Sequence, residues 1–446
     1  MEKRGGFATK IGILMATVGS AVGLGNIWRF PYETGRNGGA AFLLVYLLSI
    51  FIIGFPVVMA EFVIGRKAKA NPVGAFKKLA PNTKWHWVGY MGVLAGLLIL
   101  GYYSVVAGWT MEYIFKALSL ELENKSAADY KSMFETFTSN PILPIIWTVL
   151  VMIISHLIVK KGIKGGIEKA SKIMMPILFL LMLILAVHSI LLPGSMKGIE
   201  FFFNPDFSKL TAESVLTALG HAFFSLSLGM GCLITYASYF KSDIDLPKTA
   251  AQVTIIDTLV SVTAGVIIFP AVFAFNMQPE AGPGLVYMVL PNVFQQMSGS
   301  FIWSTMFYIL LFLAALTSLI SLHEVVTAYI HERYSISRSN SSRIVTALVL
   351  FLGVFCSLSF GLMKNATLFS MNFFEWLEYL TASVLLPLGG MLISIFVAWY
   401  LDKKIVFDEL SNDGKIKVKG FKIYIFILRY VAPLCIFAVF VTSLVK

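Results

Sequence analysis

Residues 19 to 32 read GSAVGLGNIWRFPY and lie inside the first apolar run of the chain. A helix crossing lipid satisfies its backbone internally, so three glycines, Asn26, Arg29 and Pro31 at that depth need a reason. Close helix packing accounts for small residues but not for the amide, the guanidinium and the proline. An unwound, water-lined backbone accounts for all of them, because its freed carbonyls and amides take ions or a polar ligand as partners. A second stretch, FFSLSLGMGCLITYASY at 223 to 239, repeats the device, with Gly229-Met230-Gly231 paralleling Gly23-Leu24-Gly25. Two broken helices facing one another are therefore expected to form a single binding site.

Asp257, in TIIDTLVSVTAGVIIFP, is the other residue that chemistry singles out, since no basic residue lies within two turns of it. An acid in mid-membrane is costly and marks a functional position. Cys232, Cys356 and Cys435 are scattered in apolar runs and have neither a disulfide nor a metal-ligand spacing. His221 and His323 lie within spans without a paired-histidine pattern, and there is no phosphate-binding glycine loop. The intramembrane acids do not gather with a nucleophile, which argues against an enzyme.

The elements that must hold these residues follow from composition. Of 446 residues 57% are hydrophobic and 13% charged, and the mean hydropathy is +0.80, which indicates an all-α integral membrane protein. Apolar runs able to span, at about 20 residues each, begin near 8, 40, 88, 141, 171, 215, 249, 302, 343, 375 and 422, giving about eleven helices. The corresponding breaks divide a single transporter domain into a first repeat over 8–192, a second over 214–402 and an added helix over 420–446, a 5+5 inverted repeat with helices 1 and 6 broken. The net charge of +11 is concentrated in alternate short loops at 65–78, 159–172, 331–343 and 402–419. By the positive-inside rule these loops and the amino terminus are cytoplasmic, and an odd helix count puts the carboxyl terminus outside. No signal peptide is read at the amino terminus. The distribution of charge calls for a lipid bilayer rather than nucleic acid, and the short loops suggest a bacterial inner membrane.

GSAVGLGNIWRFPY, with GFPVVMAEFVIGR, GYYSVVAGWT, SLGMGCLITYASY, AGPGLVYMVLPNVF and LAALTSLIS, resembles the neurotransmitter:sodium symporter family, in its bacterial amino-acid transporter branch. The resemblance implies two sodium ions. The first would be held by Ala21, Asn26, Ser225, Asp257 and the substrate carboxylate, the second by Gly19, Val22, Ala314, Thr317 and Ser318. It implies a substrate site formed by Ala21, Gly23, Gly25, Ile99, Tyr103, Phe224, Ser225, Ser227, Gly229, Met230, Leu319 and Leu322. No charge is available among the side-chain positions, which points to a neutral hydrophobic or aromatic L-amino acid. Outer gating falls to Arg29 with Glu378, or Glu375 if the register of helix 10 differs, inner gating to Arg4 with Glu332, and bracing of unwound backbone to Glu61. Animal members carry asparagine at the position of Asp257 and bind chloride; Asp257 supplies the charge itself, so no chloride is expected. His221 stands at a glutamine of their chloride site, although Ser261 and Tyr46 match it.

The expected activity is sodium-coupled symport by alternating access, by a monomer or loose dimer. A proton-coupled permease, with the proton on Asp257 or His221, and an amino-acid sensor that does not transport are the alternatives. Thr317-Ser318 disfavours the first and the paired inner-gate residues disfavour the second.

Overall fold

The computed structural model describes residues 5–275, 277 and 284–445. Among these residues eight helices are long and apolar enough to cross a membrane: Ala40–Ala68, His86–Leu118, Ile163–Ile190, Leu246–Ala274, Ser300–Tyr334, Arg338–Leu358, Phe373–Tyr400 and Phe421–Leu444. The first span is the pair Lys10–Ala21 and Gly25–Arg36, bent by 52°. The fourth, Leu143–Val159, follows a helix at Ala127–Ser139 that turns into it through 73°. The sixth is Ala212–Ser225 and Cys232–Ala237, separated by six irregular residues. By length and apolarity the described residues give up to ten spans. The sixth, whose halves are too short to pass alone, completes the eleven expected, with helices 1 and 6 the broken ones of the 5+5 inverted repeat.

The third and eighth spans, equivalent in the two halves, pack along one another through the middle of the bundle. Their apolar windows are 78% and 72% buried, against 28% for the eleventh span, which therefore sits at the rim. Leu180, Leu183, Phe351 and Leu434, on the fifth, ninth and eleventh spans, are exposed, as lipid-facing side chains should be. The first half of the broken first span packs against the fifth, seventh and eighth spans. The second half of the broken sixth packs against the second span.

Prolines shape several spans. Wide π turns at Gly25–Arg29, Ile50–Gly54, Leu285–Val289, Leu380–Leu385 and Ile427–Val431 each end two residues before a proline, at 31, 56, 291, 387 and 433. Proline lacks an N–H and crowds the carbonyl four residues back, and the wider turn relieves that clash without breaking the helix.

Candidate functional site

The first span stops at Ala21 because the next amides turn elsewhere. Gly23 N donates to Asn26 Oδ1 at 2.9 Å and Leu24 N to the Tyr103 hydroxyl at 2.9 Å. The carbonyls left at the helix end need other partners. That of Ser20 accepts from Ser227 Oγ at 2.8 Å and that of Val22 from Ser318 Oγ at 3.0 Å. Those of Gly19 and Ala21 receive no hydrogen bond among the described residues.

In the sixth span the break is made by conformation. Ser227, Gly229 and Gly231 all have left-handed backbones, with φ of 55°, 79° and 76°. Gly229 N donates to Glu61 Oε1 at 2.8 Å, so the fully buried Glu61 does hold unwound backbone. The first break needs glycine for a different reason: a Cβ on Gly23 would stand 2.6 Å from Ser318 Oγ and 2.8 Å from the Tyr103 hydroxyl.

Two oxygen-rich clusters flank these breaks. In one, Asn26 Nδ2 lies 2.9 Å from Ser225 Oγ, 2.8 Å from Asp257 Oδ1 and 2.9 Å from Ser261 Oγ. Ser225 Oγ donates to Asp257 Oδ2 at 2.7 Å, and the Tyr46 hydroxyl lies 3.2 Å from both serines. Asn26 thus presents its NH₂ to the carboxylate; turning the amide end for end presents Oδ1, the atom a cation requires. In the other, Thr317 Oγ1 donates to the Ala314 carbonyl at 3.0 Å and lies 3.5 Å from that of Val22, beside Ser318. Gly19 packs directly on the Thr317 side chain. Among the described residues no three His, Cys, Asp or Glu side chains gather. The donors are carbonyl, amide and hydroxyl oxygens with one carboxylate, a set suited to a hard cation.

Between the clusters lies a small cavity of about 30 Å³, lined by Ala21, Gly23, Gly25, Ile99, Tyr103, Phe224, Ser225, Ser227, Met230 and Leu322, with Ser20, Cys232 and Ser318. Gly229 and Leu319, expected there, do not line it. Gly229 faces the Leu386 carbonyl of the tenth span. Leu319 sits about 100° around its helix from Ser318, and the cavity takes the Ser318 and Leu322 face instead. At this volume the cavity holds about two waters, so a larger ligand requires lining residues to move apart.

Gly25, Tyr103 and Phe224 also line a vestibule of about 330 Å³ and so form the partition between the two spaces. The Arg29 guanidinium lies 5.0 Å from the centre of the Phe224 ring. Its ion pair is with Glu33, at 3.6 Å, and not with Glu378 as expected. Glu33 sits one turn on along the same helix, whereas Glu378 reaches the vestibule from the tenth span across the opening. Glu375 also borders the vestibule and is held in a capping box with Asn372.

At the opposite end, Arg4 lies outside the described residues. Glu332 accepts from the backbone N and Nδ2 of Asn71 at 2.9 and 2.8 Å. Phe7 is buried edge-on against Tyr236 and Tyr239, and Ala8 N and Thr9 Oγ1 both donate to Glu168 at 2.7 Å. His221 is buried against Phe30 and Tyr46, and neither ring nitrogen has a partner among the described residues.

The family model described as the sodium:neurotransmitter symporter family matches residues 4–140 and 140–446. The chain belongs to that family. As a sodium:neurotransmitter symporter it is a multi-pass membrane protein that couples the movement of a small molecule to sodium, and it is not an enzyme. It is 39% identical to the uncharacterized sodium-dependent transporter YhdH of Bacillus subtilis, over 97% of this chain and 96% of that one. The sodium- and chloride-dependent GABA transporter 2 of Homo sapiens is 25% identical, over all of this chain and 80% of that one. Among solved structures, that of MhsT in complex with L-phenylalanine is 44% identical, with a TM-score of 0.91 over 99% of this chain and all of that one.

For this symporter, sequence reasoning missed Ser20 and Cys232 in the cavity wall, both small residues without a distinctive signal. It also missed Glu33, although the i, i+4 spacing from Arg29 was visible. A third omission is the fully buried Glu324, which accepts from Arg338 and, at 2.7 Å, from the Tyr239 hydroxyl, tying the eighth span to the start of the ninth.

Proposed function

We propose that this symporter imports a neutral hydrophobic or aromatic L-amino acid with two sodium ions and without chloride. The observation that carries the reading is the small cavity between two unwound segments, whose larger side chains are Ile99, Tyr103, Phe224, Met230 and Leu322 and which includes no charged group. A charged substrate side chain would be buried there unpaired, at high cost. Polar groups of the unwound backbone are left for the amino and carboxylate groups. The phenylalanine held by MhsT, a relative with closely similar architecture, supports an amino acid of this class.

Sodium would enter the two oxygen clusters as a co-substrate. Asp257 supplies the first ion with a full negative charge, the role for which other members use chloride. Substrate carboxylate would complete the same coordination, and this shared ligand is the basis of coupling. On loading, Phe224 and Tyr103 close over the site, Arg29 and Glu378 approach above them, and the first half of the first span swings to release cargo at the basic end. That end and the amino terminus are assigned to the cytoplasm and the protein to a bacterial inner membrane. Two sodium ions moving down a 100 mV potential and a tenfold gradient supply roughly 7 kcal/mol, which supports about a 10⁵-fold accumulation.

The test is uptake of a mixture of radiolabelled amino acids into proteoliposomes of the purified protein, driven by sodium, potassium or an imposed proton gradient. Sodium-driven uptake of leucine-like and aromatic amino acids, unchanged when gluconate replaces chloride, is expected. Uptake driven by protons alone, or lost with chloride, overturns the assignment.

A further inference from the structure

At the basic end of the bundle a groove of about 270 Å³ runs between the second span, the start of the seventh and the segment leading into the eleventh. Its mouth carries Lys248, Lys417 and Lys419, all exposed and without an ion pair among the described residues. Among the described residues the one acid lining the groove, Asp245, is engaged in capping the seventh span through Lys248 N at 2.9 Å. The inner wall is apolar. Phe55 and Met59 stand thirteen and nine residues before the end of the second span at Ala68, which places them about 20 and 14 Å along the helix from that end.

Two further features indicate what fits. Tyr424 lines the groove, is 7% exposed, and its hydroxyl has no hydrogen-bond partner among the described residues. A buried hydroxyl without a partner is costly and is expected to meet one in use. On either side the surface is lipid-facing, with Phe51 and Ile52 exposed on the second span and Ile423 and Phe426 on the eleventh, so the groove opens sideways into the bilayer.

We propose that this groove binds an anionic glycerophospholipid, with its phosphate among the three lysines and the Tyr424 hydroxyl and the start of an acyl chain along Phe55 and Met59. A basic mouth continuous with an apolar, laterally open wall suits an amphiphile and not a free anion. The same lysines on a solvated loop without the wall would give only diffuse attraction.

The experiment is native mass spectrometry of the full-length protein released from mixed bilayers of phosphatidylglycerol and phosphatidylcholine. The wild type is expected to retain phosphatidylglycerol preferentially, and removing each lysine by Gln substitution is expected to lower that preference about fivefold. Equivalent substitutions at Lys131 and Lys209, exposed at the other end, should leave it unchanged. Tyr424→Phe should lower retention without lowering thermal stability in detergent, since it deletes an unpartnered group. Equal preference in wild type and the Lys248, Lys417, Lys419 triple variant overturns the proposal, as does displacement of the lipid by soluble glycerol phosphate. The same holds for Tyr424→Phe if it retains lipid as the wild type does.

Discussion

Asp257 is the residue on which most depends, and its setting makes its role testable. It is fully buried, its two oxygens engage Asn26 and Ser225, and the cluster contains no basic side chain. Replacing it with asparagine keeps the shape and removes the charge. Asp257→Asn is expected to raise the sodium concentration for half-maximal uptake by tenfold or more, a loss of about 1.4 kcal/mol or greater, and to make uptake respond to chloride. Sodium titrations in chloride and in gluconate measure both effects. If neither changes, the carboxylate is not an ion ligand. This residue was legible because an unpaired acid in an apolar run has few alternatives, and Thr317-Ser318 because an adjacent hydroxyl pair stands out there. Gly229 and Leu319 were misplaced for the opposite reason. For Gly229 the cause is unwinding, after which periodicity no longer says which way a residue faces and backbone angles that a sequence does not display decide the cavity wall. Leu319 lies on the unbroken eighth span and takes the face next to the one, Ser318 and Leu322, that meets the cavity.

At the scale of elements, the two Gly-x-Gly segments look alike in sequence and act differently. In the sixth span the glycines adopt left-handed backbone, whereas in the first Gly23 leaves room for Tyr103 and Ser318. Gly229→Ala would combine an unfavourable φ, costing about 1–2 kcal/mol, with a Cβ placed 2.5 Å from the Leu386 carbonyl. A lowered melting temperature with sodium present is expected, and an unchanged one would show that the tenth span can yield. Gly23→Ala should instead push the Tyr103 hydroxyl and Ser318 off their bonds to Leu24 N and the Val22 carbonyl and abolish substrate binding, measured by scintillation proximity. The pairing of Glu324 with Arg338 also belongs here. Arg338→Met strands a buried carboxylate, and breaking such a pair costs about 3–5 kcal/mol, so thermal unfolding should shift strongly downward. Span number and positions were readable because lipid imposes a length and an apolar composition. The π turns were not, although the prolines that accompany them were in plain sight.

For the whole molecule, the third span packs along the eighth through the middle of the bundle, and in the proposed cycle the broken spans are the parts that move. The two ends are built differently: at the vestibule a ring and a guanidinium stand over a 30 Å³ cavity, and at the basic end the amino-terminal segment is anchored on Glu168. If two positive ions accompany a zwitterion, each cycle carries charge. A potassium diffusion potential set by valinomycin, negative inside, should raise initial uptake severalfold, and no response would mean that compensating charge moves outward. Phe7, seated between Tyr236 and Tyr239, has a further consequence. A coupled carrier conserves work only while its two doors never stand open together, and if the basic end is the inner one, as proposed, the ring packed on Tyr236 and Tyr239 belongs to that door. On that proposed reading, weakening the seat turns an engine into a leak, with sodium crossing and its gradient released as heat in place of a store of substrate.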